Sequence, residues 1–199
     1  MKTIYLLFTV ILWALSFNTG IAQTTVSNDS VEQIEKEYKG ETYIINSSSQ
    51  NALRGSDNNQ MSISTTISNK NEGAFSGSAA GVCYNLKETI PLEEVFKKAI
   101  SKEKIKSLAL SDKNGILIMF YYDMNTGKIA HLRFRLVGNT TLSNDTDSET
   151  EITLKDISTL ESLFKEYYFN VSEATCEKFE FGNRYYMFWF SKLAEEEKE

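Results

Sequence analysis

The chain's single histidine, His131, lies in "YYDMNTGKIAHLRFRLV" (residues 121–137) beside Arg133 and Arg135. Histidine is the side chain whose ordinary titration falls near neutrality, which makes it the natural general acid–base. Its neighbours along this stretch are apolar or cationic, so no carboxylate is evident to orient the ring. Arginine offers paired donors to carboxylate or phosphate and stacks on aromatic rings. The stretch therefore favours binding over catalysis, and no catalytic residue is assigned. A carboxylate-dependent hydrolase stays open as a lesser alternative, because the chain has 27 acids whose separations a sequence does not give.

Just upstream, Asp123, Asn125 and Gly127 approach the pattern of a calcium loop. With Asp123 at the first position, Gly127 falls where a ligand belongs, Lys128 replaces the required glycine and Phe134 replaces the closing glutamate. A hairpin turn with Gly127 in the left-handed conformation accounts for these residues without an ion. One histidine and two distant cysteines do not make a zinc site of the usual kind. No metal or cofactor is expected.

The elements that must position these residues are two strands, "GILIMFYYD" and "KIAHLRFRLV", rich in branched and aromatic residues. If Asp123 opposes Lys128, then Leu117, Met119 and Ala130 share a face suited to helices. Phe120, Tyr122, His131, Arg133 and Arg135 share the other, widened by Trp189 if "RYYMFWF" lies alongside. Arginine and aromatics are the usual anchors of interfaces. A solvated face whose long side chains shield aliphatic neighbours explains the same pattern.

Three zones surround the hairpin. In 23–82, "SVEQIEKEYKG" fits a short helix with Ser30 and Gln33 as a capping box and Gly40 as its stop. The rest of that arm is a Ser/Asn/Gly-rich linker in which "MSISTTIS" alternates like an edge strand. Residues 83–193 form the compact domain. Leu92, Val95, Phe96, Ala99 and Ile100 make one helical stripe after Pro91, and "IKSLAL" a short strand. Thr153 caps a second helix bearing Ile157, Leu160, Phe164 and Tyr167. "TCEKFEF" and "RYYMFWFSKL" flank a turn at Gly182 and Asn183. Residues 194–199 are an acidic tail. The order α-β-β-α-β, with an extra strand before the last, predicts an α+β fold: a mostly antiparallel sheet with two helices on one face.

The start of the chain, Lys2 and then "IYLLFTVILWALSF" ending near Ala22, has the form of a secretory signal peptide. Export places the protein in the periplasm or outside the cell, with no membrane span after cleavage. The remainder carries 20 basic against 27 acidic side chains, a net charge of −7, which argues against nucleic acid. In an oxidising compartment Cys83 and Cys176 can pair, restricting the unfolded chain by about 4–5 kcal/mol; two buried thiols are the alternative.

In pattern, residues 92–193 resemble the C-terminal domain of the TonB energy transducer. The likeness rests on a helix, "GILIMFYYDMNTGKIAHLRFRL", a polar insert, a helix ending "YYF" and a last aromatic strand. Asp123, Gly127 and Lys128 match that family's turn. Its Tyr-Pro motif, transmembrane anchor and proline-rich spacer are missing, so energy transduction is not implied. The whole chain is also similar to small secreted Bacteroidetes proteins of unknown function, a likeness that brings no activity with it. Together these readings predict a non-enzymatic protein that binds an envelope or extracellular protein through an exposed sheet face. The alternative client is a small ligand, a carbohydrate or an anionic metabolite.

Overall fold

The computed structural model describes residues 31–50, 62–72, 85–172 and 181–195. The signal-like start, Cys83, Cys176 and residues 196–199 lie outside the described residues. Six strands make one antiparallel sheet: β1 (Val31–Tyr38), β2 (Glu41–Gln50), β3 (Ser62–Asn69), β5 (Gly115–Asp123), β6 (Ile129–Val137) and β8 (Phe181–Trp189). Their spatial order is β1-β2-β3-β6-β5-β8, and every neighbouring pair is antiparallel. Two short strands, β4 (Asn85–Glu88) and β7 (Phe169–Ser172), pair separately. Helices α1 (Leu92–Ala99), α2 (Lys102–Leu108), α3 (Leu154–Lys165) and α4 (Phe190–Glu195) complete the α+β fold.

One sheet face is covered by helices. Ile116, Ile118, Phe120 and Tyr122 of β5 point there, as do Leu132, Phe134 and Leu136 of β6, and all are buried. Against them sit Phe96 of α1, stacked on Phe188 at 4.4 Å, and Phe164 of α3, edge-on to Phe120 at 5.0 Å. Such ring pairs add to the stabilisation that comes from burial alone. Thr153 caps α3 as its sequence indicates: its hydroxyl accepts from the Asp156 amide, and the Asp156 carboxylate accepts from the Thr153 amide.

Several sequence expectations are corrected. Residues 31–38 form a strand, because β1 continues through Lys39 and Gly40 into β2. Both turn residues have positive φ (52° and 82°), as the tight hairpin turn that suits strand twist requires. Residues 46–50, read as linker, belong to β2, and "MSISTTIS", read as an edge strand, gives β3. β3 lies inside the sheet between β2 and β6, with Ile67 fully buried opposite Phe134. "IKSLAL" starts within α2: the first helix ends before extended Ile100, and the Ser101 side chain caps the next by accepting from the Lys104 amide. Gly182 and Asn183 lie within β8, where Gly182 leaves room for the Tyr122 ring. A side chain there would meet Tyr122 at 2.5 Å, so this glycine marks close packing, not a turn. Ala194 and Glu195 belong to α4.

Candidate functional site

Asp123 does pair with Lys128 at the turn, the Asp123 amide donating to the Lys128 carbonyl at 2.8 Å. The ladder then slips. Tyr122 faces Ile129, but Tyr121 faces His131, so Ala130 is an extra residue in β6. A one-residue bulge exchanges the faces of everything beyond it. Phe120 and Tyr122 therefore lie under the helices, fully buried, and are removed from the candidate binding face. Leu117 and Met119 take the outer places, opposite Arg135 and Arg133.

The turn itself is closed by local bonds. The Asp123 carboxylate accepts from the Asn125 amide (2.9 Å) and from the Thr126 amide (2.8 Å) and hydroxyl (3.0 Å). The Thr126 amide is the largest influence holding this carboxyl below its ordinary value. Gly127 has φ +70° with its α-carbon against the Phe169 carbonyl. These bonds are the reason the calcium-like spacing exists.

On the face that none of the described helices covers, two rows of side chains cross the sheet. One runs Gln33, Asn46, Thr66, Arg135, Leu117. The next runs Glu35, Ile44, Ser68, Arg133, Met119, Tyr185. Between them lies a concavity of about 560 Å³, within the usual range of small-molecule sites. Hydroxyl and amide groups, with Ile44 among them, line its β1–β3 side, the two arginines its middle, and Leu117, Met119 and Tyr185 its β5–β8 side.

Both arginines are exposed and, among the described residues, neither guanidinium has a hydrogen-bond or carboxylate partner. Arg133 lies 5.8 Å from the Tyr121 ring. The carboxylate in its own row, Glu35, is instead held by Lys70 at 2.8 Å. His131 is on the same face but buried, 5.4 Å from Tyr121. Burial pushes the Tyr121 hydroxyl up, and the Arg133 charge pulls it partly back. Trp189 lies on this face opposite Gly115, half-buried and outside the groove lining.

The groove thus unites Arg133 and Arg135 with residues the sequence reading did not select. Tyr185, more than half exposed at 56%, replaces Trp189 as the aromatic of the site. Asn46, Thr66 and Ser68 come from the stretch read as linker. The alternation of Ile63, Thr65 and Ile67 with Ser64, Thr66 and Ser68 was the signal for the last two, whereas Asn46, after three consecutive apolar residues, carried none. Among the described residues no three His, Cys, Asp or Glu side chains converge to hold a metal, and no helix is long and apolar enough to cross a membrane.

No protein-family model matches the chain, and no curated protein matches it. Its fold is similar to the crystal structure of a DUF5043 family protein from Bacteroides uniformis, with a TM-score of 0.53 and 14% identity over 86% of this chain and 92% of that one. At that identity the likeness is one of fold. It is consistent with the expected likeness to Bacteroidetes proteins of unknown function, and no comparison shows the TonB likeness.

Proposed function

We propose that this is an exported, non-enzymatic binding protein whose working surface is the uncovered sheet face, and that its client is a small ligand. The observation carrying this reading is the 560 Å³ concavity that gathers two arginines, without a hydrogen-bond or carboxylate partner among the described residues, between a largely polar and an apolar wall. A flat surface would suit a folded protein partner, whereas a groove of this size suits a molecule that is mostly enclosed. Hydrogen exchange tests the reading, with the protein incubated in the dialysable fraction of an envelope extract and, separately, in the retained fraction. Slowed exchange at residues 44–46, 66–68, 117–119 and 133–135 in the dialysable fraction is expected. Protection only by the retained fraction would transfer the face to a macromolecular client. Protection absent from these strands in both would remove the face as the site.

A further inference from the structure

Resting on that reading of the groove, we infer that its ligand is an amphipathic anion: one carboxylate or phosphate head joined to an aliphatic body. The order of side chains across the sheet supports this. Arg133 and Arg135 are two residues apart on one strand, which spaces them about 7 Å apart along it, close enough to serve one head group together. Among the described residues their guanidinium donors have no hydrogen-bond partner, and they stand on the face of a chain whose net charge is −6, so their positive charge is locally concentrated against the average. The competing carboxylate, Glu35, is occupied by Lys70. Directly beside the arginines, on β5 and β8, are Leu117, Met119 and Tyr185. Methionine and leucine offer adaptable apolar surface without hydrogen-bonding demand, which suits an alkyl chain. On the far side of the arginines, Asn46 and Thr66 offer polar groups to any neutral substituent of the head.

A sugar acid would use the same arginines, but its hydroxyls would lie against Leu117 and Met119 without partners, which penalises it. A free inorganic anion would leave the apolar wall idle. The groove therefore selects charge and chain together.

Calorimetric titration of the protein with dodecanoate, dodecyl phosphate, dodecanol and inorganic phosphate, all below micelle-forming concentrations, tests the inference. One or both amphipathic anions should bind and raise the melting temperature, while dodecanol and inorganic phosphate should bind at least about tenfold more weakly. Preference for dodecanoate would point to free fatty-acid-like ligands, and preference for dodecyl phosphate to phospholipid-like heads. R133Q/R135Q, changing only exposed side chains, should weaken the anions about 10- to 100-fold and leave dodecanol unmoved. Shortening dodecanoate by two methylenes should cost about tenfold, and M119N should flatten that dependence. Equal affinity for dodecanol, unchanged anion binding by a folded R133Q/R135Q, or no binding of either anion would each overturn the inference. If the groove is still protected by the dialysable fraction while no amphipathic anion binds, the ligand class is wrong and the site stands. If the groove is unprotected as well, both fall.

Discussion

At the scale of single residues, the polar groups buried under α3 are the most exacting. The Asp156 carboxylate receives the Thr153 amide and hydroxyl and also pairs with the buried Lys104 ammonium. Asp156→Ala removes the cap and leaves a buried cation alone, so it should cost about 3–5 kcal/mol in denaturant melts. Lys104→Met should cost markedly less, because Asp156 keeps its Thr153 donors. Nearby, the Tyr43 hydroxyl donates to Glu161 at 2.8 Å. Burial, opposed by Ser158 and reinforced by Glu161, holds that hydroxyl protonated far above its ordinary range. Tyr43→Phe should cost about 1–3 kcal/mol, because the buried Glu161 carboxylate loses a donor. At Asp123 the sign is the acidic one. Its carboxyl is held below the ordinary 3.8, so its contribution is present above that value and is lost as pH falls through the lower, folded value. Asp123→Asn keeps the acceptor oxygen but not the charge. The stability gap between the two proteins, measured from pH 6 down to pH 2.5, should close toward acid.

At the scale of elements, the β5–β6 hairpin is fixed by its turn and its bulge together. Gly127 has no room for a side chain: a β-carbon would lie 1.8 Å from the Phe169 carbonyl, at a φ that other residues reach only with strain. Gly127→Ala should therefore destabilise by more than about 2 kcal/mol in thermal melts and accelerate exchange at the Phe169 amide, which donates to the Gly127 carbonyl. The turn was legible in the sequence because glycine, aspartate and threonine act through bonds to their own neighbours. The bulge at Ala130 was not, since a ladder slip is decided by partners across strands. Its consequence is large: it sends Phe120 and Tyr122 inward and brings Leu117 and Met119 to the arginines. The helix expected at 31–38 failed for a related reason. Ile34, Lys36 and Tyr38 all lie half-buried on the covered side of β1, and a lysine among them conceals the two-residue period.

For the whole molecule, the notable fact is that strands from both halves of the chain build one sheet. β6, which carries the arginines, has β3 on one side and β5 on the other. Deleting residues 31–72 would bare the long edge of β6 and uncover Phe134. The shortened chain should lose its cooperative melting transition and associate, as seen by calorimetry and light scattering.

Local chemistry along the chain was sufficient for the β5 and β6 strands, the cap at Thr153, the turn at Asp123–Lys128, the α+β class and the two arginines on one face. Each follows from contacts within a few residues or from a strong period in side-chain type. The tertiary structure alone decided that β1–β3 join the sheet, that Gly182 packs under Tyr122, and that the arginines face Leu117, Met119 and Tyr185 across a groove. Those outcomes depend on strands whose partners lie far away in sequence, and side-chain periodicity is silent about which distant strand will supply the other wall.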